Sequence, residues 1–323
     1  MATSKNYLAE NEQIVMTRSR TGFYAYLSLA IVMLFWAGNS IVGRAIRTDI
    51  PPFTLAFLRW TIALAVILPL AWRHIVKDRV ALARGWKIVL ALGVLGVACF
   101  NGFLYLALHY TSATNALLFQ AAIPAVVLLA NRLIFAQSAP LGRIGGVILS
   151  TIGVVVVIIK ADIAALADLH LGLGDMLVLA AVVTWSLYTS LLRLKPPVES
   201  LSLLSATFLI GALCMAPLAG IEWAGGDRPH AEPAVLAGVL YVAIFPSVLS
   251  YLLFNRAVEQ IGSGKAGQTM SLMPLFGAVI AAWILGEPLH FYHYIGMVLI
   301  FGGIALSIAI DRRPAEIGRE VLN

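Results

Sequence analysis

The sequence predicts an all-α membrane protein of ten transmembrane helices, arranged as two five-helix repeats of inverted topology. Three observations predict it. Hydrophobic residues make up 60% of the 323 residues and charged residues only 12%. A soluble domain carries about 25% charged residues, so lipid must be the main solvent of this chain. Apolar runs long enough to cross a hydrocarbon core as helix, about 20 residues each, recur ten times. The second half also repeats the first at an offset of 149 to 150 residues. Trp36, Asn39, Ser40 and Arg44 stand opposite Trp185, Tyr188, Thr189 and Arg193, and Pro124, Gly146 and Gly153 opposite Pro274, Gly296 and Gly303. Five spans is an odd number, so the second half must enter the bilayer from the opposite side.

In chain order, the spans are expected at 22–44, 53–72, 86–108, 112–134, 141–160, 173–194, 200–221, 234–255, 263–285 and 289–310. Pro51-Pro52 separates the first two. The third and fourth are joined by a few residues near Tyr110, which predicts a tight antiparallel hairpin. Pro140 opens the fifth, Pro196-Pro197 follows the sixth, the stretch Gly225 to Pro233 follows the seventh, and Pro288 precedes the tenth. The expected domains are residues 1–21 as an N-terminal cytoplasmic segment, 22–160 and 173–310 as the two repeats, and 311–323 as a cytoplasmic tail. The polar first twenty residues do not resemble a cleaved signal peptide.

The basic residues set the orientation. If the N-terminus defines side one, sixteen of the 22 fall there, from Lys5 to Arg319, and four fall on side two: Arg44, Arg47, Lys160 and Arg228. This asymmetry predicts a multi-pass protein with both termini in the cytoplasm. It also explains the net charge of +6 without a nucleic-acid partner. Cys99 and Cys214 both lie in apolar runs, which argues against a structural disulfide, and no metal-ligand spacing surrounds them.

Polar residues inside spans need partners, water or a substrate, because an unpartnered polar group in an apolar medium costs about 2–7 kcal/mol. Trp36, Asn39 and Ser40 share one helical face, and Trp185, Tyr188 and Thr189 repeat it. Asn101 and Tyr105 lie one turn apart in the third span. Tyr251 and Asn255 hold the matching places in the eighth with the residue types exchanged. Each residue taken alone fits helix packing. As a set related by the repeat, they predict the lining of a central cavity formed by spans 1, 3, 4, 6, 8 and 9. Lys265 and Gln268 share a face at the start of the ninth span. The Lys265 ammonium either meets a substrate carboxylate or snorkels to the headgroups. Arg59, beside Phe57, Leu58 and Trp60, is expected to snorkel outward or to pair with a backbone carbonyl rather than to bind substrate. Pro124 and Pro274 interrupt the fourth and ninth spans at matching places and are candidate hinges.

Several classes lack their residues. No Asp or Glu lies in the middle of a span, since Asp175, Glu222, Glu259 and Glu287 are near ends. That argues for facilitated diffusion or exchange over a proton relay. His109 falls at the end of the third span, as an interface residue. No phosphate-binding loop and no catalytic or metal constellation stands out, so neither ATP drive, a cofactor, a metal nor an enzyme activity is expected.

These residues resemble the drug/metabolite transporter superfamily, as two EamA-type domains. The marks are Gly174-Asp175 followed by Trp185, the run from Gly262 through Pro274, Leu285-Gly286-Glu287-Pro288, Gly296 and Gly302-Gly303. Phe135-Ala136-Gln137 departs from the Leu-Gly-Glu expected in the first half. Length and first-half details resemble the aromatic amino acid exporter branch. The resemblance implies export of small metabolites, typically amino acids, across the bacterial inner membrane. Alternating access is expected, by a monomer or weak dimer. Asn, Gln and Ser side chains would then hold a zwitterion, and Trp36, Trp185, Tyr105 and Tyr251 an apolar or aromatic side chain. A lipophilic-cation transporter of the same superfamily is the alternative, but it wants a carboxylate facing aromatic walls. A non-transporting scaffold would not need mirrored polar stripes.

Overall fold

The computed structural model describes residues 2–159, 172–230, 232–284, 286 and 289–311, with side chains from residue 23 onward except at 154, 157, 158, 271 and 307–311. The expectations for Lys160, Leu285, Glu287, Pro288 and the basic tail fall outside the described residues. Ten helices follow in order: α1 (Ala2–Ala45), α2 (Pro52–Arg84), α3 (Trp86–Tyr110), α4 (Ala113–Phe135), α5 (Leu141–Ile158), α6 (Leu173–Leu191), α7 (Ser200–Ala224), α8 (Pro233–Ile261), α9 (Ser263–Ile284) and α10 (Phe291–Asp311). No strand occurs among the described residues. Eight helices are long and apolar enough to cross a membrane, and the apolar parts of α5 and α10 are shorter, at Leu141–Gly153 and Phe291–Leu306.

Three helices outrun their expected spans. α1 reaches back to Ala2, α8 continues to Ile261, and α2 continues past residue 72 to Arg84. Hydropathy marks where a helix leaves lipid, not where it ends. Residues 73–84 contain neither Gly nor Pro, so nothing stops α2 before Gly85, whose N–H closes on the Ala81 carbonyl at 2.9 Å. α8 stops where Gly262 takes φ 83°, a conformation that favours glycine.

Repeat mates pack on each other in antiparallel fashion. α2 lies along α7, and their ends are tied reciprocally. The Glu222 carboxylate, near the end of α7, accepts from the Phe53 and Thr54 N–H groups at 2.9 and 2.7 Å at the start of α2. Asp78, near the end of α2, accepts from the Glu199 N–H at 2.9 Å at the start of α7. Each carboxylate thus meets the positive end of the other helix and satisfies its orphan donors. Glu222→Ala is therefore expected to cost about 1–2 kcal/mol, read as a lower thermal midpoint of the purified protein in detergent.

α5 crosses α10 through glycine, where Gly153 faces the Gly296 carbonyl and Gly303 the Gly146 carbonyl. The Ser150 hydroxyl donates to the Ile300 carbonyl at 3.2 Å in the same crossing. The remaining contacts exchange halves: α3 packs on α6 as α8 packs on α1, and α4 meets α9. α3 and α4 are joined only by Thr111 and Ser112, with the Ser112 hydroxyl capping α4 through the Asn115 N–H at 3.0 Å. The turn is as short as expected. The two helices nevertheless diverge from it, because α6 packs against both.

Four local irregularities come in mirrored pairs. π-helical stretches occupy Gly93–Cys99 in α3 and Ile244–Leu249 in α8. α4 breaks at Ala121–Ala122, just before Pro124, and α9 tightens to a 3-10 turn at Met270–Leu272, just before Pro274. A proline donates no backbone hydrogen bond, so the carbonyls of Gln120 and Met270, four residues earlier, lose their usual helical partners.

Candidate functional site

The centre of the bundle is organised around Arg59. Instead of snorkelling outward, this side chain is 1% exposed. α2 runs along α7 and so turns the Arg59 face inward, while its lipid face carries residues such as Val66 and Leu70. The guanidinium Nε donates to the Ser247 hydroxyl at 2.6 Å and Nη2 to the Pro246 carbonyl at 3.2 Å. Around Nη1 stand the Asn39 and Asn101 side-chain oxygens and the Tyr105 hydroxyl, at 2.8, 2.7 and 2.6 Å. Three acceptors there share two hydrogens, and the Tyr105 hydroxyl itself donates to Asn39 at 2.7 Å. The Trp60 ring lies 4.6 Å from the guanidinium carbon, within cation–π range. The expected pairing with a backbone carbonyl is thus present, at Pro246. Every polar contact around Arg59 is a neutral oxygen, and no carboxylate joins it among the described residues. The positive charge is solvated but not neutralised.

Two of the backbone acceptors lie in the π-helical stretches, where the i→i−4 ladder is interrupted. Pro246 accepts from the Trp36 indole N–H at 2.9 Å as well as from Arg59. Gly96, its counterpart in the first half, accepts from the Tyr251 hydroxyl at 2.5 Å. The aromatic groups then pack edge-on. Trp36 and Trp185 centroids lie 4.9 Å apart at 81°, and Trp185 and Tyr251 5.5 Å apart at 87°. The Trp185 indole N–H points at the Met270 sulfur, 3.1 Å away. Between these rings, Arg59 and Gln120 lies an enclosed cavity of only about 10 Å³, room for roughly one water. The centre is therefore occluded.

Of the residues expected at the site, Trp36, Asn39, Trp185 and Tyr251 line this cavity. Asn101 and Tyr105 stand behind it as partners of Arg59. The Tyr188 hydroxyl donates to the Asn255 side-chain oxygen at 2.9 Å. Gln268 is buried on α9, with its amide nitrogen lacking a partner, and does not line this cavity. Lys265 lies apart from the centre, in a vestibule at one end of the bundle. Two further polar side chains line it, Arg59 and Gln120, beside the apolar Phe100, Leu104, Met270 and Met273, and Arg59 adds α2 to the six helices predicted to surround the cavity. The available signal for Arg59 was its charge inside an apolar run, which by itself favours function. Gln120 had a comparable one, as an amide four residues before a mid-span proline.

Two larger vestibules flank the centre. One, of about 600 Å³, is lined by Arg143, Arg193, Lys195 and Lys265 against a single acid, Glu259, which pairs with Lys195 at 2.6 Å. The other, of about 910 Å³, lies at the opposite end and mixes Arg47, Asp49, His109, Glu222, Asp227, Arg228 and His230. Among the described residues, no group of three or more His, Cys, Asp or Glu is placed to hold a metal ion.

Comparison with known proteins agrees with this architecture. The model of the EamA-like transporter family matches twice, over residues 23–159 and 172–309. An uncharacterized transporter of Archaeoglobus fulgidus is 30% identical over 292 residues, covering 88% of this chain and 97% of that protein. The uncharacterized transporter YetK of Bacillus subtilis is 28% identical over 304 residues, covering 93% and 91%. A solved crystal structure superposes with a TM-score of 0.67 at 20% identity, covering 90% of this chain and 98% of that one, a likeness of fold.

Proposed function

The chain belongs to the EamA-like transporter family of the drug/metabolite transporter superfamily, a multi-pass membrane protein, and we propose that it exports amino acids with aromatic or apolar side chains by alternating access. One observation carries the substrate class: a buried guanidinium without a carboxylate partner at an aromatic-walled cavity. A substrate carboxylate supplies the missing charge, and Trp36, Trp185 and Tyr251 receive the side chain. A cationic drug meets the opposite situation. At about 4 Å and an effective dielectric of about 20, a second positive charge beside Arg59 is opposed by about 4 kcal/mol. The superfamily's lipophilic-cation alternative is disfavoured on that ground.

In this reading the halves 22–160 and 173–310 cross the bacterial inner membrane in opposite senses, with both termini cytoplasmic, which suits the antiparallel pairing of α2 with α7 and of α5 with α10. The basic vestibule then opens to the cytoplasm and gathers carboxylates, Lys265 among its ligands. Release follows through the opposite vestibule as α4 and α9 bend at Pro124 and Pro274. The centre is assembled by Asn39, Asn101, Tyr105, Tyr188, Asn255 and Gln268 around the substrate-facing groups. No carboxylate sits in mid-span among the described residues, so transport runs as facilitated diffusion or exchange, by a monomer or weak dimer.

Counterflow of radiolabelled phenylalanine into proteoliposomes tests this reading. Saturable exchange that is indifferent to a pH gradient is expected. No flux of any amino acid overturns the substrate class, and a strict requirement for the gradient overturns the uncoupled mechanism.

A further inference from the structure

We propose that Gln120 reads the ammonium of the substrate, so that the central site recognises both charged ends of an α-amino acid. This rests on the reading of the protein as an amino acid exporter and adds the group that separates an amino acid from a simple carboxylic acid.

Gln120 is fully buried and lines the same enclosed cavity as Arg59, Trp36 and Trp185. Its Nε2 donates to the Ala116 carbonyl at 3.1 Å, one turn earlier. That bond fixes the amide orientation, since the flipped amide would set two oxygens against each other. The oxygen Oε1 is left with no partner. A buried carbonyl oxygen without a donor is unfavourable, and in a site built for a ligand it marks where a donor arrives. The break at Ala121–Ala122 and the missing N–H of Pro124 also deprive the Gln120 main-chain carbonyl of its usual helical donor.

Arg59 and Gln120 are complementary in kind. Arg59 offers only donors, and the free end of Gln120 only an acceptor. A carboxylic acid satisfies the first and leaves the second orphaned, and an amine does the reverse while meeting the Arg59 charge. An α-amino acid satisfies both. The repeat does not copy this arrangement. The position matching Gln120 is Met270, whose sulfur already takes the Trp185 N–H. Among the residues lining the cavity, amides come from the first half alone, which gives the site one polarity and the bound substrate one orientation.

Binding to the purified full-length protein is measured by competition against radiolabelled phenylalanine, with phenylalanine, 3-phenylpropanoate and phenethylamine as competitors. The wild type is expected to prefer phenylalanine to 3-phenylpropanoate by about tenfold or more, the scale of one hydrogen bond to a charged group. Gln120→Met and Gln120→Leu are expected to bring that ratio close to one while keeping the preference for phenylalanine over phenethylamine, which reports an intact Arg59 site and a folded protein. A wild type that binds both acids alike overturns the proposal, as does a wild-type ratio in Gln120→Met. Flux in proteoliposomes separates the two readings: discrimination in binding without flux overturns export alone, and flux with unchanged discrimination in Gln120→Met overturns the role of Gln120 alone. Absence of phenylalanine binding overturns both.

Discussion

Replacing Arg59 by Met is expected to lower amino acid flux by about a hundredfold or more, with the protein still inserted and folded. The magnitude follows from the loss of a charge-assisted contact to the substrate carboxylate, worth about 1.5–3 kcal/mol for each hydrogen bond to a charged group, in a fork that presents several donors at once. The folding cost runs the other way. An unneutralised buried charge is unfavourable, and apolar replacements of similar volume for buried charges are often neutral or stabilising. Asn39, Asn101 and Ser247 lose a donor in the variant, which offsets part of that gain. The thermal midpoint in detergent is therefore expected to move little while flux collapses. Arg59→Lys separates charge from geometry. One ammonium has three donors where the guanidinium has five, and it cannot span Ser247, Pro246 and the Asn39–Asn101–Tyr105 cluster together. Lys is expected to restore only part of the flux, about a tenth. A Met variant that transports at the wild-type rate would remove Arg59 from the substrate site.

The largest stability effect is expected at Gly303. A Cβ there would stand against the Gly146 carbonyl oxygen and the Ser150 hydroxyl, and a backbone carbonyl cannot rotate away as a side-chain tip can. Gly303→Leu must push α10 off α5 and break the Ser150–Ile300 bond, a cost of about 1–3 kcal/mol or more by overpacking. The adjacent Gly302 is the control. A Cβ there meets only the Leu149 side chain, at 3.5 Å, so Gly302→Leu is expected to melt close to the wild type. Thermal unfolding of the two purified variants decides the matter. Equal midpoints would show that α5 and α10 do not depend on glycine contact.

The helices were legible because their determinants are local. Ten apolar runs, the prolines between them and the repeated glycines are properties of neighbouring residues, and lipid imposes helix on any run that must satisfy its own backbone. The helix breaks were legible for the same reason, since Pro124 and Pro274 act on carbonyls four residues away. Four of the expected residues, Trp36, Asn39, Trp185 and Tyr251, reached the cavity because they share inward faces that repeat in both halves. The ends of α2 and α8 were less legible, because hydropathy reports contact with lipid and the backbone continues until a glycine stops it.

The position of Arg59 is not set by its sequence neighbours. Its sequence neighbours Phe57, Leu58 and Trp60 describe an apolar run, in which a charge is expected to seek the headgroups. Its partners Asn39, Asn101, Tyr105, Pro246 and Ser247 come from α1, α3 and α8, as far as 188 residues away. The π-helical stretches that hold the Gly96 and Pro246 carbonyls likewise have no period that hydropathy can display. The sequence by itself determined the solvent, the helices, the doubling and the places where helices break, because each depends on residues within a turn or two. Only the tertiary structure decided that a charge lies at the centre and that Gln120 faces it with an unused oxygen, because the stability of a buried polar group depends on which groups distant helices bring to it.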